Sequence, residues 1–435
     1  MTATPPSWRG QDRLKRAWRG VIWASPGQID AGLASLATFG AGVFAVGQLT
    51  AAQLGAYALL FSSFLVAMQI STELIFAPSQ VLAVDHSTAS RLGMLRYSLP
   101  KGTAIALLAS LAVPLGVLPL ATTLSSGELF SMALSASALT WTSPIQDHLR
   151  SMFHLASRSW SAAGMSGVHL AATIGALVAL DGELAPWAPF GALAIGNLTS
   201  LGLASVLVRR IRPETCPRPS RREVLSVGRW LLVTGLGRSG AGYVKRVLIN
   251  ALLGTATLGF VEAARVVAQP INVLANGLMA QTGPRLTSAS SQGNRSVAKV
   301  WRGRFLAMLF ALAVPYIALV GYPWRVNPLS FLTPRAYELN GLTAAMLMAI
   351  MVSCLIRPFV AEMLGARLQR AVTQVTFISI LIELGTVAVG SILGPLVVPL
   401  GTFMGFVTAL YLVIRHSRRI YDQGPEAVAP SLSRT

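Results

Sequence analysis

Two adjacent apolar stretches between residues 227 and 287 carry charges where a helix in lipid normally carries none. The first, 227–252, holds Arg238, Lys245 and Arg246, and the second, 256–281, holds Glu262, Arg265, Gln269, Asn272 and Asn276. At about 100° per residue, positions 262, 265, 269, 272 and 276 fall within about 80° of one another, one polar stripe on an otherwise apolar helix. Arg238 and Lys245 share a face with Gly235 and Gly242, with Arg246 at its margin. A charge at membrane depth is costly unless it faces a wet cavity or a partner. The pattern points to the wall of a cavity that receives an anion. Arginine meets a phosphate with a planar two-pronged fork, and lysine meets it as a point charge.

The competing reading is a local ion-pair network. Lys245 and Arg246 lie about 10 Å below one end of their helix at about 1.5 Å per residue, and Glu262 and Arg265 reach the same depth on the next helix. A Glu262–Arg246 pair is then in reach, and Glu383, near the middle of a later segment, is available to another cation. Arg238, Lys245, Arg246 and Arg265 against Glu262 and Glu383 still leave an excess of positive charge. Asp30 lies on the first apolar segment close to its end, where water can reach it. Arg357, Glu362 and Glu73 also sit near segment ends, and their long stems allow them to snorkel towards water.

The elements that must position these residues are membrane helices. Charged residues make up 12% of the 435 and the mean hydropathy is +0.59, whereas a soluble domain carries about 25% charge. Twelve apolar segments are each long enough to cross a hydrocarbon layer of about 30 Å. They are 26–47, 54–77, 99–120, 128–148, 159–180, 186–208, 227–252, 256–281, 303–322, 340–364, 372–391 and 395–414. Those at 128–148 and 340–364 carry the weakest signal, being rich in serine or interrupted by charge.

Basic residues orient the chain. Alternate connections, counted from the N-terminus, hold 28 of the 35 lysines and arginines, and the intervening connections hold only Arg325 and Arg335. Both termini are therefore expected in the cytoplasm, which also explains the net charge of +19 without any nucleic-acid partner. The resulting organisation is a basic N-terminal segment 1–25, a six-helix bundle 26–208, a basic cytoplasmic linker 209–226, a second six-helix bundle 227–420 and a disordered tail 421–435. Residues 7–22, with Trp8, Leu14, Trp18, Val21 and Ile22 among five basic residues, suit an interfacial helix on anionic membrane lipids or a basic tail that only fixes topology.

The halves echo each other. Leu54-Gly55-Ala56-Tyr57 opens a helix ending near Pro78, and Leu258-Gly259-Phe260-Val261 opens one ending near Pro284, each followed by a basic connection. Six spans per half give the two copies the same sense in the membrane, a parallel repeat.

At these residues the chain resembles the MOP superfamily of exporters, which holds the Wzx-type polysaccharide flippases, the lipid II flippase and the MATE antiporters. The resemblance is carried by the stretch Leu248-Ile249-Asn250-Ala251-Leu252-Leu253-Gly254-Thr255-Ala256-Thr257-Leu258-Gly259-Phe260, by Pro270, by Gly283-Pro284-Arg285-Leu286, and by the first-half copy from Leu54 to Pro78. It implies an all-α integral membrane protein, about twelve transmembrane helices in two six-helix bundles around a cavity that opens alternately to either side. In the polysaccharide branch that cavity is cationic, and basic residues receive the pyrophosphate of an isoprenoid-linked saccharide. Arg238, Lys245, Arg246 and Arg265 match in charge and helix. A glycan polymerase or glycosyltransferases would be further partners, and the setting would be the inner membrane of a bacterium. In the MATE branch an acidic residue of the first helix is often central, and Asp30 is the candidate.

Other classes are disfavoured. There is no GxxxxGK[ST] phosphate loop for ATP hydrolysis, and the histidines His86, His148, His154, His169 and His416 have no metal-ligand spacing. No metal or cofactor is expected. A membrane glycan polymerase or ligase usually needs a large external loop, and the longest here is 323–339. Three readings remain: a flippase or exporter of a lipid-linked oligosaccharide, a cation-coupled MATE-like exporter of small molecules, and a non-transporting scaffold of surface-glycan assembly. None is an enzyme.

Overall fold

A computed structural model describes residues 8–83, 86–120, 124–180, 186–209, 220–321, 341–366 and 368–423. Twelve long helices account for almost all of them, joined at two places by short 3-10 turns. The first six are α1 (Trp8–Gln48), α2 (Ala51–Leu82), α3 (Thr88–Ser110), α4 (Ser126–Leu155), α5 (Ser159–Ala179) and α6 (Ala188–Val208). The second six are α7 (Arg221–Leu253), α8 (Thr255–Ser291), α9 (Arg295–Gly321), α10 (Leu342–Gly365), α11 (Gln369–Gly390) and α12 (Val397–Gln423). All twelve expected segments are present in order.

Ten of these helices contain a window apolar and long enough to cross a membrane; α4 and α7 do not. Charged and polar residues lower the hydropathy of both. The weak sequence signal over 340–364 is not borne out, because α10 has a mean hydropathy of 2.0 over its best window.

Helix starts follow from capping. Thr50, Ser125 and Ser220 each accept from the backbone three residues on, while Gln53, Glu128 and Glu223 return the bond, three complete capping boxes. The starts of α2 and α4 are also tied together, Gln53 Nε2 donating to Glu128 Oε1 at 2.7 Å.

Three helices run beyond the apolar segments marked in the sequence. The backbone of α1 runs unbroken from Trp8 through Pro26, so the stretch 7–22, expected as an interfacial helix or a basic tail, is from Trp8 on helical and continuous with the first span; its side chains lie outside those described. Helix α7 begins at Arg221, inside the expected linker, and α12 runs to Gln423, into the expected tail. The rest of linker and tail, 210–219 and 424–435, lies outside the described residues.

Packing repeats from one bundle to the other. The pairs α2–α3, α2–α4, α3–α4, α4–α6 and α5–α6 recur as α8–α9, α8–α10, α9–α10, α10–α12 and α11–α12. The first helix of each half breaks the symmetry. Helix α1 packs extensively along α5, whereas its counterpart α7 touches α11 only lightly and lies along α2 instead.

The bundles meet through α2 and α8, whose first turns cross with almost no space between them. A Cβ on Gly55 would sit 2.0 Å from the carbonyl oxygen of Thr255, and one on Gly259 would sit 2.0 Å from that of Ala51. Gly55 and Gly259 are 204 residues apart, as are Ala51 and Thr255, so the contact obeys the twofold of the repeat. Lipid supplies no hydrophobic drive between helices, so small residues that admit close backbones do the work. Ala37, Ala41 and Ala45 of α1 and Ala263, Ala264, Ala268 and Ala275 of α8 are buried accordingly.

Candidate functional site

The polar residues of α8 form a continuous seam with α7, α10 and α11. Glu262, 1% exposed, is its anchor. Arg265, one turn on, donates to both its oxygens, Nε at 2.8 Å and Nη2 at 2.5 Å. Arg246 of α7 approaches the same carboxylate at 3.5 Å while also donating to the carbonyl of Gly242. The Arg265 guanidinium carbon stands 5.9 Å from the ring centre of Phe61, so α2 of the first bundle closes the seam from the other side. Lys245 donates to Glu383 Oε1 of α11 at 2.6 Å, and Thr402 of α12 donates to the same oxygen at 2.5 Å. Of the expected cluster the structure thus brings together Lys245, Arg246, Glu262, Arg265 and Glu383. The side chain of Arg238 lies outside those described.

Further along α8 the stripe meets Arg357 of α10. Its Nη2 donates to Asn272 Oδ1 at 2.7 Å and its Nη1 to the Asn272 carbonyl at 3.4 Å and to Asn276 Oδ1. The expectation that Arg357 snorkels away is therefore corrected: the Pro358-containing helix α10 packs closely on α8 and turns the guanidinium onto the asparagines. Gln269 lies half-buried on the same face between the two charge clusters.

Lys245, Arg246, Arg265 and Arg357 face the two carboxylates Glu262 and Glu383, so the seam keeps an excess of positive charge. Arg357 is the member whose partners are neutral amides. Beside it runs a groove of about 330 Å³ lined, apart from Arg357 and Asn276, by apolar residues including Met279, Ile356, Val360 and Leu364.

Two buried carboxylates that sequence reasoning placed near water are in fact sealed. Asp30, 2% exposed, accepts from Arg150 Nε at 3.0 Å and Nη2 at 2.8 Å, from Ser166 Oγ at 2.6 Å, and lies 2.8 Å from His154 Nε2. Glu362 is fully buried, held by Arg302 Nη1 at 3.0 Å and by Ser417 Oγ at 2.6 Å. Asp30 thereby ties α1 to α4 and α5, and Glu362 ties α10 to α9 and α12. The partners lie more than 50 residues away in the chain, so nothing local in the sequence announced them.

Sequence reasoning also missed a pocket of about 210 Å³ in the first bundle, lined by Phe61 and Phe64 of α2, Asp147 and Arg150 of α4, His169 of α5 and Asn197 of α6. His169 Nε2 and Asn197 Oδ1 are buried there without a hydrogen-bond partner. Among the described residues no group of three His, Cys, Asp or Glu could hold a metal ion.

No family model matches the chain, and no curated protein does. Solved structures do. An inward-facing multidrug resistance MATE family transporter of the MOP superfamily is 15% identical, with 92% of this chain and 96% of the other covered and a TM-score of 0.67. An outward-facing one is 16% identical over 93% and 95%, with a TM-score of 0.60. A MOP superfamily transporter from Pyrococcus furiosus, described as having a binding pocket of reverse polarity that suggests a different function, is 15% identical over 92% and 95%, with a TM-score of 0.58. At such identities the likeness establishes architecture: the chain has the twelve-helix, two-bundle fold of the MATE transporters of the MOP superfamily.

Proposed function

We propose that this chain is an alternating-access transporter that moves an amphipathic anion, an isoprenoid-pyrophosphate-linked saccharide in the leading reading, from the inner to the outer leaflet. The basic connections and both termini then face the cytoplasm. The observation that carries this is the surplus of positive charge along α8, above all Arg357, a guanidinium held by amides beside an apolar groove.

Passing a pyrophosphate through hydrocarbon is prohibitive because a bare anion there loses its hydration. Cations in a protein-lined groove lower that barrier, provided each contact is weak enough to release. Arg265 and Lys245 are already held by carboxylates, so they set the potential of the seam, whereas Arg357 can exchange its amide partners for phosphate oxygens.

In a strain lacking the gene, lipid-linked saccharide should accumulate in the inner leaflet, and the parental gene should clear it. Arg357→Gln at parental abundance should cut export about tenfold or more, and Arg357→Lys should retain part of it by keeping the charge. Parental export by the glutamine variant overturns the anionic reading.

A second reading, a MATE-like exporter of small molecules, is favoured by the pocket in the first bundle, where Asp147 and Asn197 Oδ1 offer acceptors beside the unpartnered ring nitrogen of His169. In that case the deletion strain gains drug sensitivity and its saccharide lipids stay normal. A non-transporting scaffold leaves both unchanged.

A further inference from the structure

At the basic end of the second bundle, Trp301 of α9 carries two guanidinium groups. The Arg285 guanidinium carbon is 4.0 Å from its ring centre and that of Arg304 is 4.7 Å. The two are therefore within about 9 Å of each other. Arg285 comes from the end of α8, just after Pro284, and both arginines are exposed. The adjacent Arg302 is consumed by buried Glu362, but Arg285 and Arg304 have no salt bridge to a carboxylate among the described residues.

This site sits where α9 changes character. Its first turns carry Arg295, Lys299, Arg302 and Arg304, and beyond them Met308, Phe310, Leu312 and Val314 are exposed on a helix whose most apolar window has a mean hydropathy of 1.9 and is only 17% buried. Exposed apolar side chains on such a helix face acyl chains, so the arginine pair stands at the level of the headgroups.

The first bundle repeats the device. Lys101 of α3 lies 4.5 Å from the ring centre of Tyr97, and Tyr97 and Trp301 are 204 residues apart, the spacing of the glycines at the crossing of α2 and α8.

We infer that Arg285 and Arg304, set in place by Trp301, form a binding site for the phosphate of an anionic phospholipid in the cytoplasmic leaflet. Stacking on the indole fixes each guanidinium plane while leaving its N–H edges free for phosphate oxygens. The acyl chains lie along the exposed apolar face of α9. Because Arg285 belongs to α8, an occupied site holds down the basic end of the helix that carries the polar seam. It is distinct from the transport seam and independent of which cargo that seam takes.

Purified full-length protein in neutral detergent, titrated with phosphatidylglycerol and followed by native mass spectrometry, tests it. The parental protein should retain phosphatidylglycerol and not phosphatidylcholine, and soluble glycerol phosphate should compete poorly. The double variant Arg285→Gln/Arg304→Gln should bind about 10- to 30-fold more weakly. Arg221→Gln/Arg222→Gln, which removes the same charge from the start of α7, should bind like the parent. Equal weakening in both double variants, no weakening in either, or equal retention of phosphatidylcholine overturns the site.

A photoactivatable phosphatidylglycerol gives a reading that needs no variant. Label in peptides containing Arg285 or residues 301–314 supports the site, and label confined to other helices overturns it.

Discussion

Glu262 is the residue on which most of the seam depends. It is 2% exposed at the side chain and serves two arginines at once. Replacing Glu262 with Gln leaves both guanidiniums without a carboxylate, and breaking a buried pair in this way costs about 3–5 kcal/mol. The expected result is a large fall in the thermal midpoint of the purified protein, partly restored when Arg265 is also changed to Leu. An unchanged midpoint for Glu262→Gln would mean the network is hydrated and weak. At this scale the sequence was informative about membership and blind to pairing. The 3–4 residue spacing of Glu262, Arg265, Gln269, Asn272 and Asn276 placed them on one face because a helix dictates it. Arg357 and Asp30 were misjudged because position along a helix fixes depth but not neighbours, and both meet residues from helices packed by long-range topology.

Among the elements, α2 and α8 are the pair that sets everything else. Their crossing depends on two positions that admit no side chain, Gly55 and Gly259, each against a backbone carbonyl that cannot move without unwinding its own first turn. Gly55→Ala should therefore separate the helix ends, costing about 2 kcal/mol or more through overpacking, and the yield of folded protein in detergent should fall. Gly202→Ala on α6 is the contrast, because nothing lies within 4 Å of its Cβ. Ala there should be neutral or stabilising by up to about 1 kcal/mol. Equal yields for the two variants would mean that the crossing is loose. The repeat that exposed these glycines was legible as two short motifs 204 residues apart. Their physical role was not, since a glycine in sequence reads equally as flexibility, a turn or a close approach.

For the whole molecule, the twelve helices and their order followed from hydropathy and from the one-sided distribution of lysine and arginine. The departure from symmetry did not, because it concerns how α7 leaves its own bundle and lies on α2. There a Cβ on Gly228 would come within 2.8 Å of the Leu74 carbonyl, and one on Gly235 within 2.9 Å of the Glu73 side chain. Those residues fall in the single π-helical turn of α2, Thr72–Phe76, a distortion found mostly where helices serve function. Alternating access requires the bundles to move against each other, and α1 offers a place to test it. A Cβ on Gly42 would lie 3.9 Å from Cβ of Val266 on α8, inside the range of about 3.5–4.5 Å for a disulfide. In a background with Cys216 and Cys354 replaced by Ser, Gly42→Cys/Val266→Cys should cross-link under mild oxidation. Bridging α1 to α8 then ties the two bundles together at mid-helix. Export should stop when the bond forms and return when it is reduced, with each single cysteine variant unaffected by oxidant. If fully cross-linked protein exports at the parental rate, the bundles do not separate at this level, and the movement that carries cargo lies elsewhere in the fold, most directly in α7 against the π-helical turn of α2.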